Sequence, residues 1–483
     1  MMFQLSPVGR ALLATSLVGA FIGCGARGGL LEEYGQAGVG GGGGSGGNGG
    51  SGAGQTTSVT TGVTTTSTGT TTPTPVNATV ISESFDSIFE GETSVVATSF
   101  GFVAAAWIAV SQQGEPFIAY AFSTDDGANW APPVSLQSPD GRVGSDPVLA
   151  VDSAGNIYLT WVGFFIGSNG PEDMVVYTSR APVGATFFED PVPVSPPNTP
   201  NGIFLDKPWI TTTAKNSVVV SYARFDTTGA SDFAIVTGRS DNGGQSYQLS
   251  EVVKDASFNS FFNLAYVCSS LETGRVYTTY LDITQFGQQL EVKTKLAWSD
   301  DDGQTWPPGN NVEVSEGELD VAFMDPGCTA VGNEVWVTYG RSPDPLSGES
   351  EESQKLNAIM VRHSANGGAN FEPGFNVADP TVAKFFMHQD LKAEPTTVLD
   401  MVYYAGNQNE DTNGTFRRVR FKTGEVQPLS ETVYSPIIFT PDRAVPYWLG
   451  DYVGLYVRGT RMYTTYVVNE TELSHVAFSA FNL

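Results

Sequence analysis

Seven polar residues stand 14 to 17 positions ahead of seven evenly spaced aromatics. They are Glu92, Asp146, Asp206, Asn263, Asp325, Asp390 and Asp451, before Trp107, Trp161, Tyr222, Tyr280, Tyr339, Tyr404 and Tyr466. Six of the seven are acidic. If each opens the innermost strand of a repeated unit, they form a ring. Like charges so close raise one another's pKa until a cation neutralises them. The pattern therefore implies a bound cation, with Ca²⁺ the fitting hard-oxygen partner in an exported protein, or a cationic or polyhydroxylated ligand. The competing reading is that each side chain caps the turn entering its strand.

A second chemical set is cationic. Arg142, Arg224, Arg341 and Arg443 stand at or beside the ends of expected strands. Together they would make a partial clamp for an acidic sugar or another anion; taken singly they are loop arginines paired with neighbouring carboxylates. Trp209, Tyr447 and Trp448 are the aromatics placed to stack on a sugar ring, although large aromatics at strand starts more often belong to the core. The three histidines are scattered without metal-ligand spacing.

The elements that must position these residues come from repeats. Ser123-Thr-Asp125-Asp-Gly127-Ala-Asn-Trp130 recurs from Ser240 to Tyr247, from Ser299 to Trp306 and from Ser364 to Phe371, with a worn copy from Arg180 to Phe187. Successive starts lie 57, 60, 59 and 65 residues apart. In such a turn the Asp or Asn side chain bonds backbone N–H groups ahead of it and the Gly supplies a positive φ. The aromatic then packs onto the sheet. Short β-rich runs ending in the seven aromatics recur at 54 to 65 residues, and each reads as the second strand of a four-stranded unit.

The motif resembles the Asp-box (BNR repeat) of sialidase-type β-propellers, over residues 77–483. The resemblance implies an all-β propeller with the boxes joining third and fourth strands, on the face opposite the active site. The boxes thus mark the fold, and Asp125 and Asp301 are not catalytic carboxylates. Seven aromatic runs imply seven blades; six, as in sialidases, would make one copy an accessory hairpin. After Asp451 only three strand candidates remain, so Ala78 to Ser84 is expected to close the last blade and remove the open edges.

A sialidase would hold its substrate carboxylate with three arginines, beside a Tyr–Glu nucleophile and an Asp acid/base. The first arginine belongs to blade one, yet no Arg occurs between Arg27 and Arg142. A charge-assisted clamp is missing there. Arg142 and Arg443 enter blades two and seven, and Arg224 and Arg341 leave the second strands of blades three and five, all towards the mouth away from the boxes. A glycan- or protein-binding module without the complete sialidase set is therefore expected, with a sialidase-like exo-glycosidase as the alternative. The catalytic residues of that alternative are not identifiable from the sequence.

Of the 483 residues, 24 are basic and 51 acidic, a net charge of −27. Nucleic-acid binding needs basic surface and is excluded. Three His and three Cys exclude a multi-ligand zinc site or a disulfide scaffold. Arg10 followed by the apolar run Ala11–Gly23 suits a signal peptide of residues 1–23. The ending Phe-Ile-Gly-Cys24 resembles a bacterial lipobox, which implies lipidation of Cys24, and Gly25 after it leans towards the outer membrane. Residues 24–76 are Gly/Ser/Thr-rich and read as a disordered tether. Cys268 and Cys328 fall on innermost strands of neighbouring blades, as a disulfide or as two buried thiols.

Overall fold

The computed structural model describes residues 64–66 and 78–483, the latter apart from 84–85, 168–169, 198, 201, 227–232, 256–259, 287–288, 316–324, 342–357, 379–384, 394–397, 407–410, 426–428, 440–448 and 472. Seven antiparallel sheets follow one another along the chain, five built wholly from consecutive strands and the last two each joined by a short N-terminal strand. They are the seven blades of a β-propeller. The inner strands are Phe89–Ala97, Val143–Val151, Ile203–Thr212, Ser260–Ser269, Gly327–Val331, Phe385–Ala393 and Gly454–Arg458. Each pairs with the strand carrying its aromatic, so every expected second strand takes that place.

Those aromatics explain why the blades stack. Trp107, Trp161, Tyr222, Tyr280, Tyr339, Tyr404 and Tyr466 are all buried. The apolar clusters they join draw on strands of neighbouring blades, as where Tyr466 packs flat on Phe416 at 4.1 Å. A propeller core lies between sheets, so each blade is stable only against its neighbours.

The ring closes through both termini. Thr79–Val80 pairs antiparallel with Leu473–Asn482 as the outermost strand of blade 7, and Ile81 N–H donates to the Val476 carbonyl. This lies within the segment expected to close the ring. One short piece of the expected tether is also paired: Thr64–Thr66 adds a fifth strand to the outer edge of blade 6. A β-branched Thr run suits an open edge.

The four Ser-x-Asp/Asn-x-Gly turns have one geometry. In the first, Ser123 Oγ donates to Asp125 Oδ1 at 2.8 Å, Gly127 N–H donates to Ser123 Oγ at 2.9 Å, and Asn129 N–H donates to Asp125 Oδ1 at 2.8 Å. The bonds recur around Ser240, Ser299 and Ser364. All four join third to fourth strands. Gly127 has φ +87°, and a Cβ there would meet the Phe478 ring at 2.3 Å, so this turn also needs Gly for space. Trp130 lies 4.9 Å from the same ring, tying blade 1 to blade 7.

Cys268 and Cys328 form a disulfide, their Cα atoms 5.9 Å apart. It joins the inner strands of blades 4 and 5.

Candidate site at the propeller axis

Inner strands run from the mouth opposite the turns towards the turn face, and five share one irregularity. A β-bulge separates Gly91 from Ser94, Ser145 from Val148, Asp206 from Trp209, Asn263 from Tyr266 and Met387 from Asp390. Within the first four, one non-glycine residue takes a positive φ: Glu92 at 50°, Asp146 at 57°, Lys207 at 47° and Leu264 at 56°. Such a backbone is strained for these residues and re-aims the side chain. The bulge turns Glu92, Asp146 and Lys207 towards the axis.

There they meet. Lys207 Nζ lies 3.2 Å from Glu92 Oε1, 2.8 Å from Asp146 Oδ1 and 2.8 Å from Asp451 Oδ2. Blades 1, 2, 3 and 7 are thus linked through one ammonium. Lys207 is 2% exposed and Glu92 0%. Tyr452 flanks the group, its ring centre 5.3 Å from Nζ and its hydroxyl donating to the Pro147 carbonyl.

A buried cluster with more carboxylates than cations must share protons. Burial, reinforced by the charges of Asp146 and Asp451, pushes the Glu92 carboxyl well above its ordinary range. Burial and the Asp146 charge push Asp206 up to about 8. Burial alone would lower Lys207, but the carboxylates of Asp146, Asp451 and Glu92 raise it well above normal. The cluster thus favours a firm ammonium on Lys207 and the protonated forms of Glu92 and Asp206.

The seven residues singled out by spacing are thus only partly a ring. Five lie inside their inner strands, at Glu92, Asp146, Asp206, Asn263 and Asp390, while Asp325 and Asp451 precede theirs. The expected place at strand starts is corrected by the bulges, which consume residues before regular pairing begins. Asp206, Asn263 and Asp390 behave as local caps. Each accepts the backbone N–H of the next residue, at 3.0, 2.7 and 2.8 Å. The capping reading of the pattern therefore holds for these three members. Asp325, half-buried, is near enough for its charge to act on Asp206 and Lys207.

Lys207 is the member the spacing argument missed. It stands 15 residues before Tyr222, as Glu92 does before Trp107 and Asp146 before Trp161. A fixed interval of 15 finds it; the looser window took its neighbour Asp206. The cation that the acidic residues require is supplied here by the chain itself. Among the described residues, no group of three or more His, Cys, Asp or Glu side chains is placed to hold a metal ion. The donor set fits an ammonium rather than Ca²⁺.

The arginines do not converge through any contact described. Arg142 is buried, paired with Asp173 and with Asp140 at 3.2 Å, and its guanidinium lies 4.6 Å over Phe165. Arg224 pairs with Glu251 at 2.8 Å. Arg341 ends the second strand of blade 5. Arg443, Tyr447 and Trp448 lie outside the described residues. Trp209 packs flat on Tyr266, ring centres 4.2 Å apart.

No family model matches the sequence, and no curated protein matches it. Solved structures do. A protein of unknown function from Dyadobacter fermentans aligns at 15% identity over 87% of this chain and 99% of that one, with a TM-score of 0.49. A Hadza microbial sialidase aligns at 15% identity over 68% and 66%, TM-score 0.44, and the Trypanosoma rangeli sialidase bound to the inhibitor DANA at 13% over 82% and 55%, TM-score 0.40. The likeness is one of fold. The chain spans 66% and 55% of the lengths of those two sialidases.

Proposed function

We propose that the chain is an exported, lipid-anchored binding propeller of sialidase architecture, recognising a glycan or protein at the mouth opposite its Asp-box turns. The observation that carries this reading is the state of the axis. Where a sialidase-type enzyme would gather arginines around a substrate carboxylate, this chain gathers Glu92, Asp146 and Asp451 around its own Lys207. A raised acid beside other carboxylates resembles an acid/base pair, but Glu92, Asp146 and Lys207 are all buried, and Arg142 and Arg224 are held by Asp173 and Glu251.

The test is a glycan array run beside a chromogenic glycoside panel and a fluorogenic sialoside. Binding without turnover is expected. Sialoside turnover that disappears when Arg224 or Arg341 is changed to Ala would establish the glycosidase instead.

A further inference from the structure

Between the Lys207 cluster and the turn face, the axis is hollow. The cavity measures about 360 Å³, and all seven inner strands line it, beyond the bulges where these occur. Every inner strand is the end strand of its sheet. Its axial edge therefore presents backbone N–H and C=O groups that the sheet does not pair, and buried backbone groups need partners. Water or a hydroxylated molecule supplies them.

One wall is more specific. Tyr266 hydroxyl donates to Asp390 Oδ1 at 3.0 Å, and Lys392 Nζ donates to the Tyr266 oxygen at 2.7 Å and to Asp390 Oδ1 at 3.0 Å. Lys392 keeps 24% of its side chain exposed, and all three residues line the cavity. Trp209, stacked on Tyr266, extends the aromatic surface, and the Cys268–Cys328 bridge holds the strands beside it together. Leu271, 58% exposed, and Glu272 line the end nearest the turn face. A fixed donor–acceptor pair beside an aromatic surface, surrounded by backbone edges, is the chemistry that holds a ring of hydroxyls. With Lys392 already countered by Asp390 and the protein at net −27, the surroundings disfavour an anion.

We propose that this channel is a second binding site, entered from the turn face, for a neutral polyhydroxylated molecule the size of one or two sugar rings. It lies across the Lys207 cluster from the mouth assigned above and does not depend on that assignment. The probes are glucose, galactose and N-acetylglucosamine, followed by saturation-transfer NMR and by tryptophan fluorescence on the intact mature chain. At least one should bind with a dissociation constant of about 1 mM. Lys392→Met should weaken it by about tenfold or more, Lys392→Arg should retain much of it, and Ser269→Trp, placing bulk on the cavity wall near the turn face, should abolish it. Melting curves establish that each variant is folded. Absence of binding by all three sugars, or binding unchanged in both Lys392→Met and Ser269→Trp, would overturn the proposal. So would binding lost in Arg224→Ala but kept in Lys392→Met, which would assign the sugar to the opposite mouth.

Discussion

The ammonium of Lys207 lies 2.8 Å from a carboxylate oxygen of Asp451, 244 residues further along the chain. One residue thus ties blade 3 to blade 7 across the axis, while Glu92 and Asp146 bring in the two blades between. Removing the cation leaves buried carboxylates uncompensated, whereas removing one carboxylate as well lessens that unmet charge. Lys207→Met is therefore expected to cost about 3 to 5 kcal/mol. Adding Asp451→Asn to that variant should recover part of the loss, although Asp451→Asn alone destabilises. Chemical denaturation of the four proteins measures the coupling; additive losses would show that Lys207 and Asp451 act independently.

The same cluster sets a pH dependence. Burial pushes Asp206 up to about 8 in the fold and raises Glu92 too, while their unfolded counterparts ionise near 4. Above pH 4 the unfolded chain releases protons that the folded chain retains. Their stabilising contribution is therefore full below about pH 4 and declines up to about pH 8. Each proton so retained costs up to about 1.4 kcal/mol per pH unit within that window. Lys207 adds a loss of the same sign only in strongly alkaline solution. Melting temperatures of the wild type and Asp206→Asn, followed from pH 4 to 9, should diverge, with the variant flatter. Parallel curves would remove Asp206 from the account.

The blade count, the second strands and the closing strand were legible because they depend on local chemistry. Ser123, Asp125 and Gly127 build their turn from bonds within seven residues, and Trp107 or Tyr222 marks a strand by composition. The axial cluster was harder to read. A bulge shifts side-chain direction by one position, so Asp206 and Lys207 exchange roles on a detail of pairing that spacing does not encode. Lys392 and Tyr266 were missed for another reason. Their partnership with Asp390 joins residues up to 126 positions apart and has no repeat to announce it.

Calcium titration offers a direct comparison between an internal and a bound cation. With Lys207 occupying the carboxylates, added Ca²⁺ and added chelator should leave the melting temperature unchanged. In Lys207→Met the site gains an unmet negative charge, and Ca²⁺ should then stabilise the protein through preferential binding to the folded state. A Ca²⁺ shift in the wild type that Asp146→Asn removes would reinstate a metal at the axis.

The turns should matter for stability and not for recognition. Asp301 accepts the Thr305 N–H at 2.8 Å and the Thr305 hydroxyl at 2.6 Å. Its replacement by Ala should cost about 1 kcal/mol, and Trp306→Ala about 3 to 5 kcal/mol, since the ring is buried against blade 3. Ligand captured on the array should still bind both variants below their melting temperatures. Normal melting with lost binding would move the recognition surface to the turn face.

Membrane attachment should rest on Cys24. The apolar run Ala11–Gly23 has thirteen residues, while a helix crossing the bilayer needs about 20. Among the described residues no helix is long and apolar enough to cross a membrane. A single acyl chain anchors only weakly, so stable attachment needs more than one, and a fully acylated lipoprotein cysteine would provide that. In Cys24→Ala the protein should appear as a soluble processed form or as an unprocessed precursor, with its melting temperature unchanged because the substitution lies well ahead of Thr64, where the first described strand begins. Cell fractionation with mass measurement of the mature N-terminus distinguishes these outcomes. A variant processed and still membrane-bound would place the anchor in the propeller itself, and the exposed Phe100 and Leu271 in the turns between first and second strands would be the residues to change next.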